Sequence, residues 1–120
     1  MSSLIRMPER VFLAAGYTDL RLGIDGLTSM IEYYYQLDPK QSCLFLFCGR
    51  RADRIKGVLW QGDGYLLLYK RLDNGRFKWP RNTSELQEIS PQQLKWLTEG
   101  LSIYQKTSIK SAASPAATAA

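Results

Sequence analysis

The chain has 120 residues, of which 45% are hydrophobic and 12% aromatic, so it has room for one globular domain with a real core and not for two. Sixteen Lys and Arg side chains against eleven Asp and Glu give a formal net charge of +5, and the chain contains no histidine. The lack of histidine excludes nucleophile pairs that use an imidazole base and removes the commonest metal ligand, so the composition favours binding over catalysis.

The two cysteines, Cys43 and Cys48, lie five positions apart in the apolar run 43–48. If this run is a strand, side chains an odd number of positions apart point to opposite faces, so the two sulfurs cannot form a disulfide. Two thiolates without histidine are also too few for a zinc site. We therefore expect buried, reduced thiols, no bound metal and no cofactor.

Hydrophobic periodicity predicts the elements of the first half of the chain. The apolar run 11–15 is typical of a short buried strand. Apolar residues then recur at helical spacing over about 20–36, which predicts an amphipathic helix that ends before Pro39. The continuous apolar run 43–48 predicts a strand that is buried on both faces.

The second half has the turn signals of a three-stranded meander. Apolar and basic runs at 54–60, 65–72 and 76–79 are separated by Asp-Gly at 63–64 and Asn-Gly at 74–75. These dipeptides between apolar runs are strong hairpin signals. We therefore predict three antiparallel strands in this part of the chain.

The end of the chain predicts a loop, a helix and a tail. Residues 81–89 are expected to form a loop, and Ser90-Pro91 has the cap and first-turn residues of a helix over about 91–99. Residues 107–120 lack periodicity and are expected to form a disordered tail. The predicted fold is therefore a single α+β domain over 1–106: a mostly antiparallel sheet of four or five strands, covered on one face by the main helix, with a short C-terminal helix at an edge.

The positive charge is concentrated in the predicted meander. Between positions 50 and 81 there are nine basic and three acidic residues, so this segment carries the whole excess. With two-residue turns at 63–64 and 74–75, Lys56 faces Arg71 and Arg71 faces Lys78. Such a row of cations costs stability that a phosphate backbone would recover. A second turn of three residues would place Arg76 and Lys78 on the other face of the sheet. The alternative to a phosphate-binding surface is a basic face that is simply solvated.

No arrangement of residues indicates an enzyme. A metal-dependent nuclease needs converging carboxylates, but Asp63 and Asp73 occupy turn positions and Asp19 has a capping role. Only Asp53 lacks a structural explanation, and an ion pair with a nearby arginine would supply one. The sequence contains no phosphate-binding glycine loop. We therefore expect a protein without catalytic residues.

Long motifs resemble a known family. The stretches 44–56, 60–64 and 69–80, with Gly-Tyr-Thr-Asp-Leu-Arg at 16–21, are similar to the TnpB accessory proteins of insertion sequences of the sixty-six family. The resemblance covers about 8–103. It implies a bacterial protein that assists DNA transposition, beside a DDE transposase that cuts and joins strands and another small protein that resembles a helix-turn-helix DNA binder. It supplies no catalytic residues.

These observations lead to one functional hypothesis with an alternative. We expect an accessory factor that holds DNA, including element ends, within the transposition complex, with contacts from a set of basic and aromatic residues: Arg50, Arg51, Arg54, Lys56, Lys70, Arg71, Arg76, Lys78, Trp60 and Tyr69. The alternative is an adaptor that binds the transposase without touching DNA, through an apolar strip on the same sheet face: Val58, Trp60, Tyr65, Leu67 and Tyr69.

The expected location is the cytoplasm. No apolar stretch approaches the about 20 residues that a membrane span needs, and the first residues lack the apolar region of a signal peptide. The sequence leaves the oligomeric state open.

Overall fold

Five strands form one sheet in the computed structural model, which describes residues 5–105. The strands are β1 (Arg10–Ala14), β2 (Cys43–Cys48), β3 (Arg54–Trp60), β4 (Tyr65–Arg71) and β5 (Leu86–Ile89). Their spatial order is β4-β3-β2-β1-β5. The pair β1 and β2 is parallel, and the other neighbouring pairs are antiparallel. The predicted α+β class with a mostly antiparallel sheet is confirmed.

The main helix lies between β1 and β2, where a parallel pair needs a crossover. It consists of α1 (Ile24–Ser29) and a π-helical turn, Met30–Tyr34. The helix begins later than predicted because Gly23 has an extended backbone, with φ −97° and ψ −158°. The preceding residues instead form a turn in which the Leu22 N–H donates to the Asp19 carbonyl at 3.1 Å.

The C-terminal helix, α2 (Pro91–Thr98), has the predicted start. The Ser90 hydroxyl accepts a hydrogen bond from the Gln93 N–H at 3.1 Å, and the Gln93 side-chain oxygen accepts one from the Ser90 N–H at 2.8 Å. This reciprocal cap satisfies backbone donors that a helix start otherwise leaves free. In the part of the chain that the structure describes, no helix is long and apolar enough to cross a membrane.

Both faces of the sheet are covered, whereas one covered face was predicted. The main helix packs on the first face over a cluster that includes Leu27, Ile31, Cys43, Phe45, Phe47 and Val58. The other face packs against α2 and the segment 77–79, in a cluster that includes Leu13, Leu46, Cys48, Phe77, Trp79 and Leu97. The two cysteines are buried on opposite faces, as the strand period predicts, and both thiols are free.

The turn between β3 and β4 lies one residue earlier than predicted. The Gln61 N–H donates to the Gly64 carbonyl at 2.8 Å, so 62–63 are the turn residues and Gly62 has a φ of +90° that suits glycine. As a result Trp60 pairs with Tyr65, and Lys56 pairs with Tyr69 rather than with the predicted Arg71. A shift of two residues in the pairing keeps every side chain on its predicted face. The predicted faces of β3 and β4 are therefore correct although the predicted partners are wrong.

The predicted third strand of the meander, 76–79, does not form. After β4 the chain leaves the sheet, and the Phe77 N–H donates to the Ala52 carbonyl at 2.7 Å. The Trp79 indole N–H donates to the Ala14 carbonyl at 2.8 Å, across the second face of the sheet. Phe77 and Trp79 leave the plane of the sheet because their rings fill the core of that face. The predicted row of Lys56, Arg71 and Lys78 therefore does not exist.

The segment 81–89, predicted as a loop, contains β5. Its four residues pair with β1, and Glu88 forms an ion pair with Arg10 across the two strands at 2.8 Å. Pairing with a strand about 75 positions earlier has no local sequence signal. The predicted tail, 107–120, lies outside the described residues.

We expect the substitution Trp79→Phe to lower the free energy of unfolding by about 1–3 kcal/mol, because it leaves the buried Ala14 carbonyl without its indole donor. Urea denaturation followed by circular dichroism would measure the loss. The control is Trp96→Phe on half-buried α2 surface, which should cost less than half as much. Equal losses in the two variants would contradict a specific role for the indole N–H.

Candidate functional site

A basic cleft lies at the end of the sheet where β2 ends and β3 begins. Its volume is about 990 Å³, and its walls come from the loop after β1, the loop between β2 and β3, and the first face of β3 and β4. Five cationic side chains line it together with two carboxylates and two tyrosines: Arg21, Arg50, Arg51, Arg54, Lys56, Asp19, Asp53, Tyr17 and Tyr69. The cleft is therefore positively charged and partly aromatic.

The loop after β1 forms one wall and is fixed by its backbone. The N–H of buried Thr18 donates to the Cys48 carbonyl at 2.9 Å, which holds the loop against the end of β2. In this loop the Asp19 carboxylate accepts hydrogen bonds from the Arg21 guanidinium at 2.8–3.2 Å and from the Arg21 N–H at 3.0 Å. These bonds lower the pKa of Asp19 to about 2. The Arg21 charge is thus largely balanced by Asp19.

Arg81 joins the two loops of the cleft. Its guanidinium donates to the Gly16 carbonyl after β1 and, at 2.6 Å, to the Gly49 carbonyl after β2. It also lies 4.3 Å from the centre of the Tyr17 ring, over which the Arg50 guanidinium lies at 4.5 Å. Tyr17 is 56% exposed at the cleft wall. Its ring is held between two arginine side chains by cation–π contacts, which leave the charge of both guanidinium groups uncancelled.

The floor of the cleft is the start of the β3–β4 hairpin. Arg54 lies directly opposite Arg71, and Lys56 lies opposite Tyr69. The Lys56 ammonium donates to the Leu22 carbonyl at 2.9 Å and lies 5.8 Å from the centre of the Tyr69 ring. Arg54 Nε is buried, has no hydrogen-bond partner and lies 3.6 Å from an Asp53 carboxylate oxygen. An Asp53–Arg54 ion pair thus accounts for the aspartate that the sequence left unexplained.

The structure brings together six of the ten predicted contact residues. Arg50, Arg51, Arg54, Lys56 and Tyr69 line the cleft, and Arg71 lies beside them on the same face of β4.

The other predicted residues lie elsewhere. Lys70 points to the opposite face of the sheet from Arg71, and Arg76 and Lys78 are exposed on the irregular segment after β4. Trp60 is at the far end of β3, about 20 Å from Arg54 along the strand.

Two residues that line the cleft, Tyr17 and Arg21, were not predicted as contacts, and neither was Arg81, which joins its two loops. Tyr17 and Arg21 lie in the motif at 16–21, whose residues predicted only the family resemblance and a capping role for Asp19. Arg81 follows Pro80, a position that a strand-based interpretation places in a loop. Their clustering depends on the parallel pairing of β1 and β2, which brings the ends of both strands to one edge.

The apolar strip that an adaptor would use is not an exposed patch. Val58 is 1% exposed under the main helix, while Trp60, Tyr65 and Leu67 are half-buried. Tyr69 alone among the five is exposed. The expected exposed patch is therefore wrong at Val58, which the main helix covers, whereas a contact of the other four residues with a transposase stays a prediction.

The carboxylates and thiols of the described chain are dispersed. Within residues 5–105, no three Asp, Glu or Cys side chains lie close enough together to hold a metal ion. Asp19 and Asp53 both face arginine side chains in the cleft.

Comparisons with known proteins identify similar chains. A family model described as IS66 Orf2 like protein matches residues 9–108. Two uncharacterized proteins of Sinorhizobium fredii are similar over 92 residues: y4hO is 39% identical, over 77% of this chain and 80% of its own, and y4jC is 30% identical, over 77% and 79%. No solved structure matches.

The Asp19–Arg21 contact predicts a specific titration. We expect the Asp19 pKa at about 2, and the substitution Arg21→Gln should raise it toward the ordinary 3.8, as carbon NMR of the carboxyl would measure. Since folding lowers this pKa, the contact stabilises the protein above about pH 4 and loses its effect as the pH falls toward 2.

The control for this titration is Arg10→Gln, which removes the partner of Glu88 at the other end of the sheet. It should raise the Glu88 pKa, which the Arg10 side-chain hydrogen bond lowers, and leave that of Asp19 unchanged. An Asp19 pKa that does not respond to Arg21→Gln would contradict the assignment.

Proposed function

The chain belongs to the family of IS66 Orf2-like proteins, which have an accessory role in the transposition of insertion sequences, and we propose that it performs this role by binding the DNA phosphate backbone in its basic cleft. Arg50, Arg51 and Arg54 would contact phosphates from one side and Arg71 from the edge of the hairpin. Strand cleavage and joining would belong to a separate DDE transposase, with which this chain and the other small protein of the element would share the DNA.

The observation that carries this proposal is that the positive charge is not neutralised within the fold. The segment 50–81 contains nine basic residues, and among the residues that the structure describes Arg54 with Asp53 is its one ion pair. Arg50 instead lies over the Tyr17 ring, while Arg51 and Arg71 are exposed. Arg54 and Arg71 lie directly opposite each other, and like charges in this position destabilise the strand pair. A basic face that served only solubility would not require this unfavourable arrangement. A phosphate between these two guanidinium groups would recover that cost.

The helices of this protein are better suited to contact with the DNA phosphate backbone than to recognition of bases. A recognition helix in the major groove presents basic side chains on its exposed face. The main helix, 24–34, has no basic residue, and α2 has Lys95 alone. Tyr17 and Tyr69 are 56% and 52% exposed at the cleft, where their rings can pack on sugars or unpaired bases. The expected binding is therefore strong at low salt and weakly dependent on sequence.

The test is fluorescence anisotropy with duplexes of element-end and scrambled sequence across a salt series. Four phosphate contacts give a slope of log K against log salt of about −4. The double variant Arg50→Glu with Arg51→Glu should bind at least about tenfold more weakly, with a slope smaller in magnitude by about 2. An unfolded variant is excluded by its circular dichroism spectrum.

The matched control is Lys40→Glu with Lys95→Glu, which changes the net charge equally at two exposed positions outside the cleft. This variant should lose much less affinity than the cleft variant. An equal loss would mean that net charge alone drives binding. If the folded wild type does not bind DNA at low salt, the proposal is wrong, and direct binding to the transposase becomes the function to test.

A further inference from the structure

The β4 edge of the sheet is long and open. Among the described strands, β4 has a partner on one side only, and its seven residues make it longer than β5, the four-residue strand at the other edge. Its residues 68–71 are exposed, with Leu68 at 38% and Tyr69 at 52%. Exposed edges of this length are templates for pairing with another strand unless charge or irregular geometry protects them.

The hydrogen bonds of the hairpin determine which backbone groups face outward. At the two ends of the β3–β4 pair, the Leu72 N–H donates to the Asp53 carbonyl and the Gln61 N–H donates to the Gly64 carbonyl, each at 2.8 Å. In an antiparallel pair, bonded and non-bonded residues alternate. Positions 66, 68 and 70 therefore bond inward to β3. The N–H and C=O groups of Tyr65, Leu67, Tyr69 and Arg71 point to the open edge.

We propose that this edge pairs with β4 of a second copy of the chain, antiparallel and centred on Leu68. Full overlap of the two strands places Tyr65 opposite Arg71, Leu67 opposite Tyr69 and Leu68 opposite itself. All outward-facing backbone groups then meet outward-facing groups, because positions 65, 67, 69 and 71 pair among themselves. The overlap that uses the whole strand is thus also the one that satisfies its hydrogen bonds.

The charges of β4 favour the same pairing. In the centred register the two cations of each strand face uncharged residues, with Lys70 opposite Leu66 and Arg71 opposite the ring of Tyr65. A slip of four residues would place Lys70 opposite Lys70 of the second copy, and a slip of six would oppose the two Arg71 side chains. Like charges directly opposite one another destabilise a strand pair. An acidic peptide from another protein would gain no such benefit from the apolar half of β4.

The two-fold axis of such a pair is perpendicular to the sheet, so the two basic clefts lie on the same face of one continuous sheet. A contact of one strand edge buries less surface than a permanent dimer does. The association is therefore reversible and depends on concentration. Its central contacts are backbone groups and Leu68, which does not line the cleft, so the pairing can be tested without DNA.

The first test is the mass of the full chain in solution, measured by light scattering over a dilution series without DNA. We expect the mass to rise from 13.7 kDa toward twice that value as concentration increases. Leu68→Lys and Leu68→Glu should each weaken dimerisation at least about tenfold, because each opposes two like charges at the axis. Mixing the two variants should restore the dimer, since opposite charges then meet.

The second test reads the register by disulfide formation. Leu68→Cys should link two copies under mild oxidation, because residues at the axis are non-bonded neighbours with Cα atoms about 4.5 Å apart. The matched control is Lys70→Cys, at another exposed position of the strand, whose two copies would be about 13 Å apart in this register and beyond disulfide reach. The native thiols should not compete, because burial raises the pKa of Cys48 to about 11 and also raises that of Cys43.

Several outcomes would overturn the proposal. A wild-type chain that stays at monomer mass up to its highest soluble concentration would exclude the dimer. A dimer that both Leu68 variants retain, or that links equally through the two engineered cysteines, would exclude this register. Circular dichroism of each variant separates a lost contact from a lost fold.

Discussion

The hydrogen bonds from Arg81 to the carbonyls of Gly16 and Gly49 hold together the ends of β1 and β2, and the cleft depends on them. A guanidinium has several donors in one rigid plane, so one side chain can reach two carbonyls while its charge remains. A lysine has its three N–H donors on a single nitrogen atom, without this planar spread. Arg81 reaches this position because the chain leaves the sheet after β4 and crosses the second face, where the Trp79 indole is fixed to Ala14. The cleft wall therefore depends on a segment that is not itself part of the sheet.

The departure of 76–79 from the sheet has two further consequences. It removes Arg76 and Lys78 from the face that carries Lys56, so the charge near the cleft comes from loops and one hairpin rather than from three strands. It also leaves β4 at an open edge. The side chains of Phe77 and Trp79 are only 3% and 6% exposed. Burial of these two rings stabilises the fold more than the pairing of a third strand would. Core packing thus decides the shape of the surface that carries the charge.

Local patterns predicted those elements whose signals are contained in a few adjacent residues. The bounds of β2 follow from a continuous apolar run, those of β3 from a run of apolar and basic residues before a turn signal, and the start of α2 from a Ser-Pro cap. The strand β5 and the packing of Trp79 depend on contacts with β1, about 65 to 75 positions away, which no local pattern encodes. The turn at 62–63 lies between these cases, because Gly62 and Gly64 both suit a tight turn and the sequence does not choose between them.

The candidate site was predictable in its composition and not in its geometry. Counting charges located the basic segment without any assumption about register, and five of its predicted residues do line the cleft. The loop residues Tyr17, Arg21 and Arg81 were missed because their proximity comes from the parallel β1–β2 pair. Strand registers predicted a row of cations that required a third strand. Net charge per segment is therefore a more robust guide to such a site than cross-strand pairing.

The way in which the cleft holds its cations favours an anionic partner. Arg50, Lys56 and Arg81 lie over tyrosine rings, and Lys56 and Arg81 donate to backbone carbonyls. Rings and carbonyls orient a cation through their partial charges and leave its full charge uncancelled, whereas a carboxylate would neutralise it. A protein that needed these side chains only for solubility would gain nothing from fixing them in place. These cationic side chains are already ordered in the fold and keep their charge. The loss of side-chain conformational entropy that accompanies binding of a phosphate is therefore smaller.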